Sequence, residues 1–207
     1  MQIVSSAGTG RDVNTVKLME THLPAYCLRE TLFGPVAVLW SVHRTKPKIC
    51  RIVLSKSGAA AKQVVGMLAT KHLFASCPEI NVVVDKIAAF LIGEDIHFSW
   101  DMIRLDCCSV FQRKVLRVLY DIPRGRVSTY RLLAKHMGTP NAGRAVGTAL
   151  ATNPFPIIIP CHRAIRSDGA LGGYQGGLNM KRTLLEREGL VFRDADHVAT
   201  RDYFYAE

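Results

Sequence analysis

The sequence has no long hydrophobic run. Its most apolar window, Val82 to Ile92, is interrupted by Asp85 and Lys86 and falls far short of the roughly 20 apolar residues a bilayer crossing needs, so no membrane span is expected. A basic stretch leading into an apolar one is also missing: Met1-Gln2-Ile3-Val4-Ser5-Ser6-Ala7-Gly8 does not read as a secretory signal, and the protein is expected inside the cell, cytoplasmic or, in a eukaryote, nuclear. The six cysteines, at positions 27, 50, 77, 107, 108 and 161, lack the paired spacings of a zinc ribbon or a secreted disulfide framework, and are expected to be mostly reduced and structural. His22, Cys27, His43 and Cys50 form no metal-ligand spacing, so neither metal nor cofactor is expected. The first hundred residues offer no phosphate-cradling glycine pattern and no carboxylate pair suited to acid–base work.

Negative charge is scarce where positive charge is dense. The whole chain of 207 residues carries 27 Lys and Arg against 17 Asp and Glu, a net +10. Between Cys107 and Ser167 ten basic residues face one acid, Asp121, so this segment alone holds +9. Such a concentration is either a solvated basic face or the footprint of a polyanion. Two short helices with a tight connection inside it favour a nucleic acid, whose regular phosphate charge the patch would neutralise. With 48% hydrophobic and 21% charged residues the chain has the makings of an ordinary core and needs no disulfide or metal to hold it.

In the N-terminal part, Thr31 to Trp40 and Ile49 to Leu54 are rich in β-branched residues and bounded by turn formers, which predicts neighbouring antiparallel strands. Apolar residues at helical spacing predict helices over Ala59 to Ala69 and Asn81 to Leu91. After Asp106 the strand signal fades. Val110, Phe111, Val115, Val118 and Leu119 form the stripe of a helix ending before Ile122-Pro123-Arg124-Gly125. Ser128 or Thr129 caps a second helix that stops at Gly138-Thr139-Pro140, and a third runs from Ala142 to about Thr152. The residues after Arg144 in this last helix are almost all small, which lets its backbone approach a neighbouring helix or a nucleic-acid groove. The expected division is an α/β domain over 1–105 and a DNA-binding and active-site domain over 106–207.

Asn153-Pro154-Phe155-Pro156-Ile157-Ile158-Ile159-Pro160-Cys161-His162-Arg163 follows. Three prolines exclude a helix interior and predict a stiff, extended segment presenting Cys161 at its end. A thiol attacks as thiolate, and His162, Arg163 and Arg166 offer a cationic setting that lowers its pKa. In extended chain His162 points away from Cys161, so a turn or a bridging water must relay the proton. Five glycines between Gly169 and Gly177 let the next loop approach a ligand closely.

Pro160-Cys161-His162-Arg163, preceded by Asn153-Pro154 and followed by Gly172-Gly173-Tyr174 and Gly176-Gly177-Leu178, resembles the active-site signature of the O6-alkylguanine-DNA alkyltransferases. The resemblance runs from about Phe111 to Gly189. It implies a two-domain α/β fold, with a small N-terminal domain carrying a ribonuclease H-like antiparallel sheet and an all-α, winged-helix-like helix-turn-helix domain behind it. It also implies DNA repair by irreversible, once-only transfer of an alkyl group from O6 of guanine, and from O4 of thymine, to Cys161. The target nucleotide would be flipped out of duplex DNA, and the protein would act as a monomer. In that likeness His162 deprotonates Cys161 through a water, Glu188 orients His162, and Asn153 braces the hinge. Tyr130 donates to the leaving oxygen, and Arg144 fills the gap left by the flipped base. Thr129, Tyr130, Ala145, Gly147 and Arg163 would join Arg144 on the DNA, while Tyr174, Gln175, Pro156 and Ala164 would line the base pocket. Ala164 and Gln175 depart from the residues usual in the family at those places. Two other readings stay open on the residues alone: a DNA-binding regulator without chemistry, and a cysteine hydrolase using Cys161 and His162.

Overall fold

The computed structural model describes residues 24–56, 66 and 73–206. Its N-terminal layer is a four-stranded sheet in the order β3-β2-β1-β4, made of β1 (Ala25–Arg29), β2 (Val36–His43), β3 (Lys46–Val53) and β4 (Leu73–Phe74). The strands β1, β2 and β3 form an antiparallel meander, whereas β4 runs parallel to β1, so the sheet is mixed where a purely antiparallel one was expected. The strand predicted from Thr31 begins only at Val36. Thr31 to Gly34 form a turn, in which Gly34 N donates to Thr31 O at 2.9 Å and Gly34 adopts φ 91°, a conformation that glycine takes without steric cost. Strand β1 is a further element, too short and too mixed in pattern to stand out in the sequence.

Central strand β2 is buried from Val36 to Ser41, which is why it reads as a continuous apolar run instead of an alternating one. Trp40 is fully buried and donates its indole N–H to Ala75 O at 3.0 Å. The first helix, α1 (Pro78–Ile92), starts on a proline and ends at Gly93 with φ 106°, both in their favoured places. It buries Ile80, Val83, Val84, Ile87, Phe90 and Leu91, the i, i+3, i+4, i+7 stripe of an amphipathic helix. The helix predicted over Ala59 to Ala69 lies, apart from Gly66, outside the described residues.

The C-terminal part is built on α2 (Val110–Tyr120), α3 (Tyr130–His136), α4 (Gly143–Ala151) and α5 (Leu178–Arg187). Ser109 caps α2, accepting from Gln112 N at 3.1 Å, and Thr129 caps α3, accepting from Leu132 N at 3.1 Å. Helices α3 and α4, joined through Gly138 at φ 75°, form the helix-turn-helix, and Gln112 ties α2 to it by donating to Ala149 O at 3.0 Å. This part is not all-α. Strands β5 (Ser128–Thr129) and β6 (Ala164–Ile165) pair in parallel, and the tail adds the bridges Ala170 to His197 and Phe192 to Val198. Two-residue strands carry too little periodicity to announce themselves.

One continuous hydrophobic core runs from Ala25 in β1 to Leu184 in α5. Further hydrogen bonds from three residues, Ile52, Arg124 and Arg187, fasten the C-terminal part to the sheet layer. Ile52 N of β3 donates to Pro154 O at 2.7 Å. Arg124 donates to the carbonyls of Gly93 at 2.7 Å, Glu94 at 3.1 Å and Arg187 at 2.7 Å, and Arg187 reaches the carbonyl of Leu91. Both guanidiniums thus sit at the C-terminal end of α1, where the helix dipole favours a cation. Among the described residues no helix is long and apolar enough to cross a membrane.

Loss of the α3 cap tests how much the start of this helix depends on Thr129. Thr129→Ala is expected to lower stability by about 1 kcal/mol in urea unfolding, with Thr129→Ser retaining most of it.

Candidate active site

The segment from Asn153 to Pro160 is a tight turn, not the extended segment predicted. Ile159 N donates to Phe155 O at 2.8 Å, and Ile157 takes φ 75°, an outlier for a β-branched residue that the surroundings must enforce. Asn153 does so from its buried position: its side-chain oxygen accepts from Phe155 N at 2.9 Å and its amide donates to Ile159 O at 3.2 Å. The prolines stiffen a loop that turns, and it delivers Cys161 into a short 3-10 turn, Cys161–Arg163, that leads into β6.

Cys161 is buried on the wall of a cavity of about 550 Å³. Tyr130 and Gly147 of the helix-turn-helix line it together with Arg166 and the loop from Gly172 to Gln175. A Cβ on Gly172 would lie 2.8 Å from the Tyr130 hydroxyl, and its φ is 65°, so glycine is required both by the backbone and by the tyrosine. Gln175 donates to Asn153 O at 2.7 Å, tying the loop to the turn. The Tyr174 hydroxyl is buried without a protein partner.

Behind the thiol, His162 Nε2 meets Glu188 Oε1 at 2.8 Å, and both side chains are inaccessible to solvent. Glu188, just beyond the end of α5, also receives Arg163 Nε at 2.9 Å and Nη2 at 2.8 Å, while Arg163 Nη1 donates to Ile122 O at 2.7 Å. Burial works to raise the Glu188 pKa, yet His162 and Arg163 outweigh it and hold the carboxyl down at about 2. Burial pushes His162 below its usual value, with Glu188 acting the other way. His162 Nδ1 is buried and has no protein partner, so this nitrogen is open to accept a proton.

Several sequence expectations change here. Arg163, expected on DNA, is buried and engaged with Glu188 and Ile122. It therefore supplies no cation to the thiol, whose pKa burial raises while Asn153 and Lys181 act downward. Lys181 was not foreseen. It is fully buried on α5, donating to Ala164 O at 2.6 Å and to the Leu171 carbonyl, and burial lowers its pKa to about 7. The signal was present, since Lys181 occupies the same apolar face as Leu184 and Leu185. Thr129 is buried as a helix cap, Ala164 is buried in β6, and Pro156 is buried in the turn; none of these three lines the cavity. Arg144 and Ala145 are exposed on α4, and a Cβ on Gly147 would meet nothing within 4 Å. Among the described residues no three His, Cys, Asp or Glu side chains gather as metal ligands.

Fold and site together define a class: a protein that sets a buried cysteine, backed by a histidine–glutamate pair, in a pocket beside a helix-turn-helix. Residues 110–190 match the family model described as 6-O-methylguanine DNA methyltransferase, DNA binding domain. A methylated-DNA–protein-cysteine methyltransferase from Methanothermobacter thermautotrophicus is 45% identical over 111 residues, 54% of this chain and 62% of that protein. The match therefore spans less than two thirds of this curated relative. The crystal structure of the Mycobacterium tuberculosis O6-methylguanine methyltransferase superposes with a TM-score of 0.62 at 32% identity, over 80% of this chain and 93% of that one. The same protein in complex with DNA gives a TM-score of 0.60 at 32% identity, over 79% and 92%. The chain belongs to the methylated-DNA–protein-cysteine methyltransferase family.

The Glu188 carboxylate stabilises the fold while it is ionised. Because its folded pKa is depressed, that contribution is complete above its ordinary value of 4.5 and is lost as pH falls towards about 2. Glu188→Gln is expected to lower stability at neutral pH by roughly 3–5 kcal/mol, since Arg163 stays buried without its partner. Chemical unfolding across the acid range should show a drop in the parent protein that the variant lacks.

Proposed function

We propose that the protein repairs alkylated DNA by moving an alkyl group from O6 of guanine, or O4 of thymine, to its own Cys161, once per molecule. The observation that carries this reading is a buried thiol on the wall of a pocket, adjacent in the chain to a dry His162–Glu188 pair. The Cys161 proton passes through a water to His162 Nδ1, and Glu188 stabilises the imidazolium so formed. The thiolate sulfur attacks the alkyl carbon, the carbon–O6 bond breaks, and the electron pair stays on the base. The Tyr130 hydroxyl, at the pocket wall, donates to that oxygen as its charge grows. A thioether forms for which the site offers no second step, so the protein does not turn over.

Double-stranded DNA is the partner on this reading. Exposed Arg144 and Ala145 lead α4, and the room around Gly147 means its lack of a side chain serves no internal packing. A bare helix face suits close approach to a groove, with Arg144 filling the space of the flipped nucleotide. Tyr174 and Gln175 then line the base pocket, and the division of the chain near residue 105 belongs to the same reading, as does action as a monomer. All six cysteines are free thiols, which supports work in a reducing compartment, cytoplasmic or nuclear.

Mass spectrometry of the intact protein and its peptides after incubation with duplex DNA carrying O6-methylguanine tests the reaction. One methyl on Cys161, saturating at one per chain, is expected; DNA binding without methyl uptake would leave a regulator instead. Cys161→Ala should abolish transfer and keep DNA binding. Tyr130→Phe should slow transfer on the order of tenfold or more, and Arg144→Ala should impair repair of duplex more than of single strands.

A further inference from the structure

The sheet layer takes part in the site through one side chain. Phe90, on the buried face of α1, places its ring edge-on to the His162 ring, with centroids 5.7 Å apart at 63°. The Tyr174 ring lies 6.3 Å from the same imidazole at 80°. His162 is therefore held between an aromatic from the N-terminal helix and one from the pocket loop, with Glu188 fixing its Nε2 edge. Phe90 also forms part of the wall of a crevice of about 180 Å³, which Asp95, His97, Asp121, Arg124 and Arg163 reach as well. Phe90 is 4% exposed, and its ring both lines this crevice and packs on the imidazole.

We propose that Phe90 is a positioning residue for alkyl transfer: it closes the dry compartment of His162 from the N-terminal side and holds the ring with Nε2 on Glu188 and Nδ1 free of any protein partner. The inference rests on the reading of Cys161 as alkyl acceptor. Its chemistry is that of desolvation. A neutral imidazole is the proton acceptor, and a protonated one is disfavoured where water is excluded. The charged groups around His162 are Glu188, which favours the imidazolium, and Arg163 and Lys181, which oppose it. The three charged residues of α1, Glu79, Asp85 and Lys86, are exposed and leave the apolar ring as this helix's contribution. Removing the ring joins the crevice to the imidazole and admits water, which favours the cation; of the charged groups on the crevice wall Asp95 and Asp121 act the same way, and Arg124 and Arg163 oppose it.

The test uses the full chain. The His162 ring resonance, assigned by its loss in His162→Gln, is titrated by NMR in the parent protein, Phe90→Ala, Phe90→Leu and Ile87→Ala. The last variant removes core volume from the same helix one turn before Phe90. Phe90→Ala is expected to raise the His162 midpoint by about one pH unit and to slow methyl transfer by up to about threefold at neutral pH, the rate recovering as pH is raised. Phe90→Leu should keep the midpoint and most of the rate, and Ile87→Ala should lower stability while leaving the midpoint in place. An unchanged midpoint in folded Phe90→Ala overturns the proposal, as does an equal shift in Ile87→Ala. Should Phe90→Ala fail to fold, Phe90→Val carries the same expectation with a smaller shift. If the parent protein takes up no methyl, the alkyl-transfer reading fails, while the NMR midpoints still decide whether Phe90 governs His162.

Discussion

The ionised carboxylate of Glu188 is the interaction around which this molecule is arranged. It is out of contact with water, so it stays charged only because His162 and the Arg163 fork both face it. Each partner brings a different element with it. His162 and Arg163 come from the 3-10 turn after the proline loop, Glu188 from the end of α5, and Arg163 reaches on to Ile122, just beyond α2. A buried pair of this kind adds little net stability compared with apolar packing, yet breaking it leaves an uncompensated charge. The cluster therefore acts mainly as a specification: only one arrangement of the turn, α2 and α5 satisfies all its donors.

That constraint passes outward through backbone. The turn carrying Cys161 is pinned by Asn153 on one side and received by β6 on the other, and its Pro154 carbonyl accepts from edge strand β3. Arg124 and Arg187 meanwhile take the carbonyls at the end of α1. The sheet layer is thus joined to the site at both ends of one route, through Pro154 near the thiol and through Phe90 beside the histidine. A strained residue such as Ile157 at φ 75° is affordable in such a frame because its neighbours leave it no alternative.

The sequence made α2, α3 and α4 legible, because apolar runs there are bounded by polar or glycine residues such as Ser109, Thr129 and Gly138, whereas α5 was not read from it. Of the residues named for the site, Cys161, His162, Glu188, Asn153, Tyr130, Tyr174 and Gln175 come together in space. What the sequence hid was the use of particular groups. Arg163 looked like part of a basic surface because linear charge density does not tell a solvated guanidinium from one closed over a carboxylate. The proline-rich segment looked extended because proline restricts φ alone and permits a turn as readily as a strand. The parallel β5–β6 pair and the parallel β4 depend on partners distant in sequence, which local pattern cannot register.

Two of the three buried polar side-chain atoms without a protein partner among the described residues, His162 Nδ1 and Tyr174 Oη, belong to this one site. Folded proteins satisfy nearly all such groups, and each exception costs about 1–3 kcal/mol. Both stand on side chains held by aromatic packing, so neither can turn away to find a partner. The same fold satisfies Asn153, Gln175 and Lys181, within the same few residues, with two, one and three carbonyl or amide contacts. These three side chains therefore find protein partners, whereas His162 Nδ1 and Tyr174 Oη beside them do not. On the alkyl-transfer reading this division is functional: the frame is locked by protein, and the remaining donors and acceptors are left for water and the incoming base.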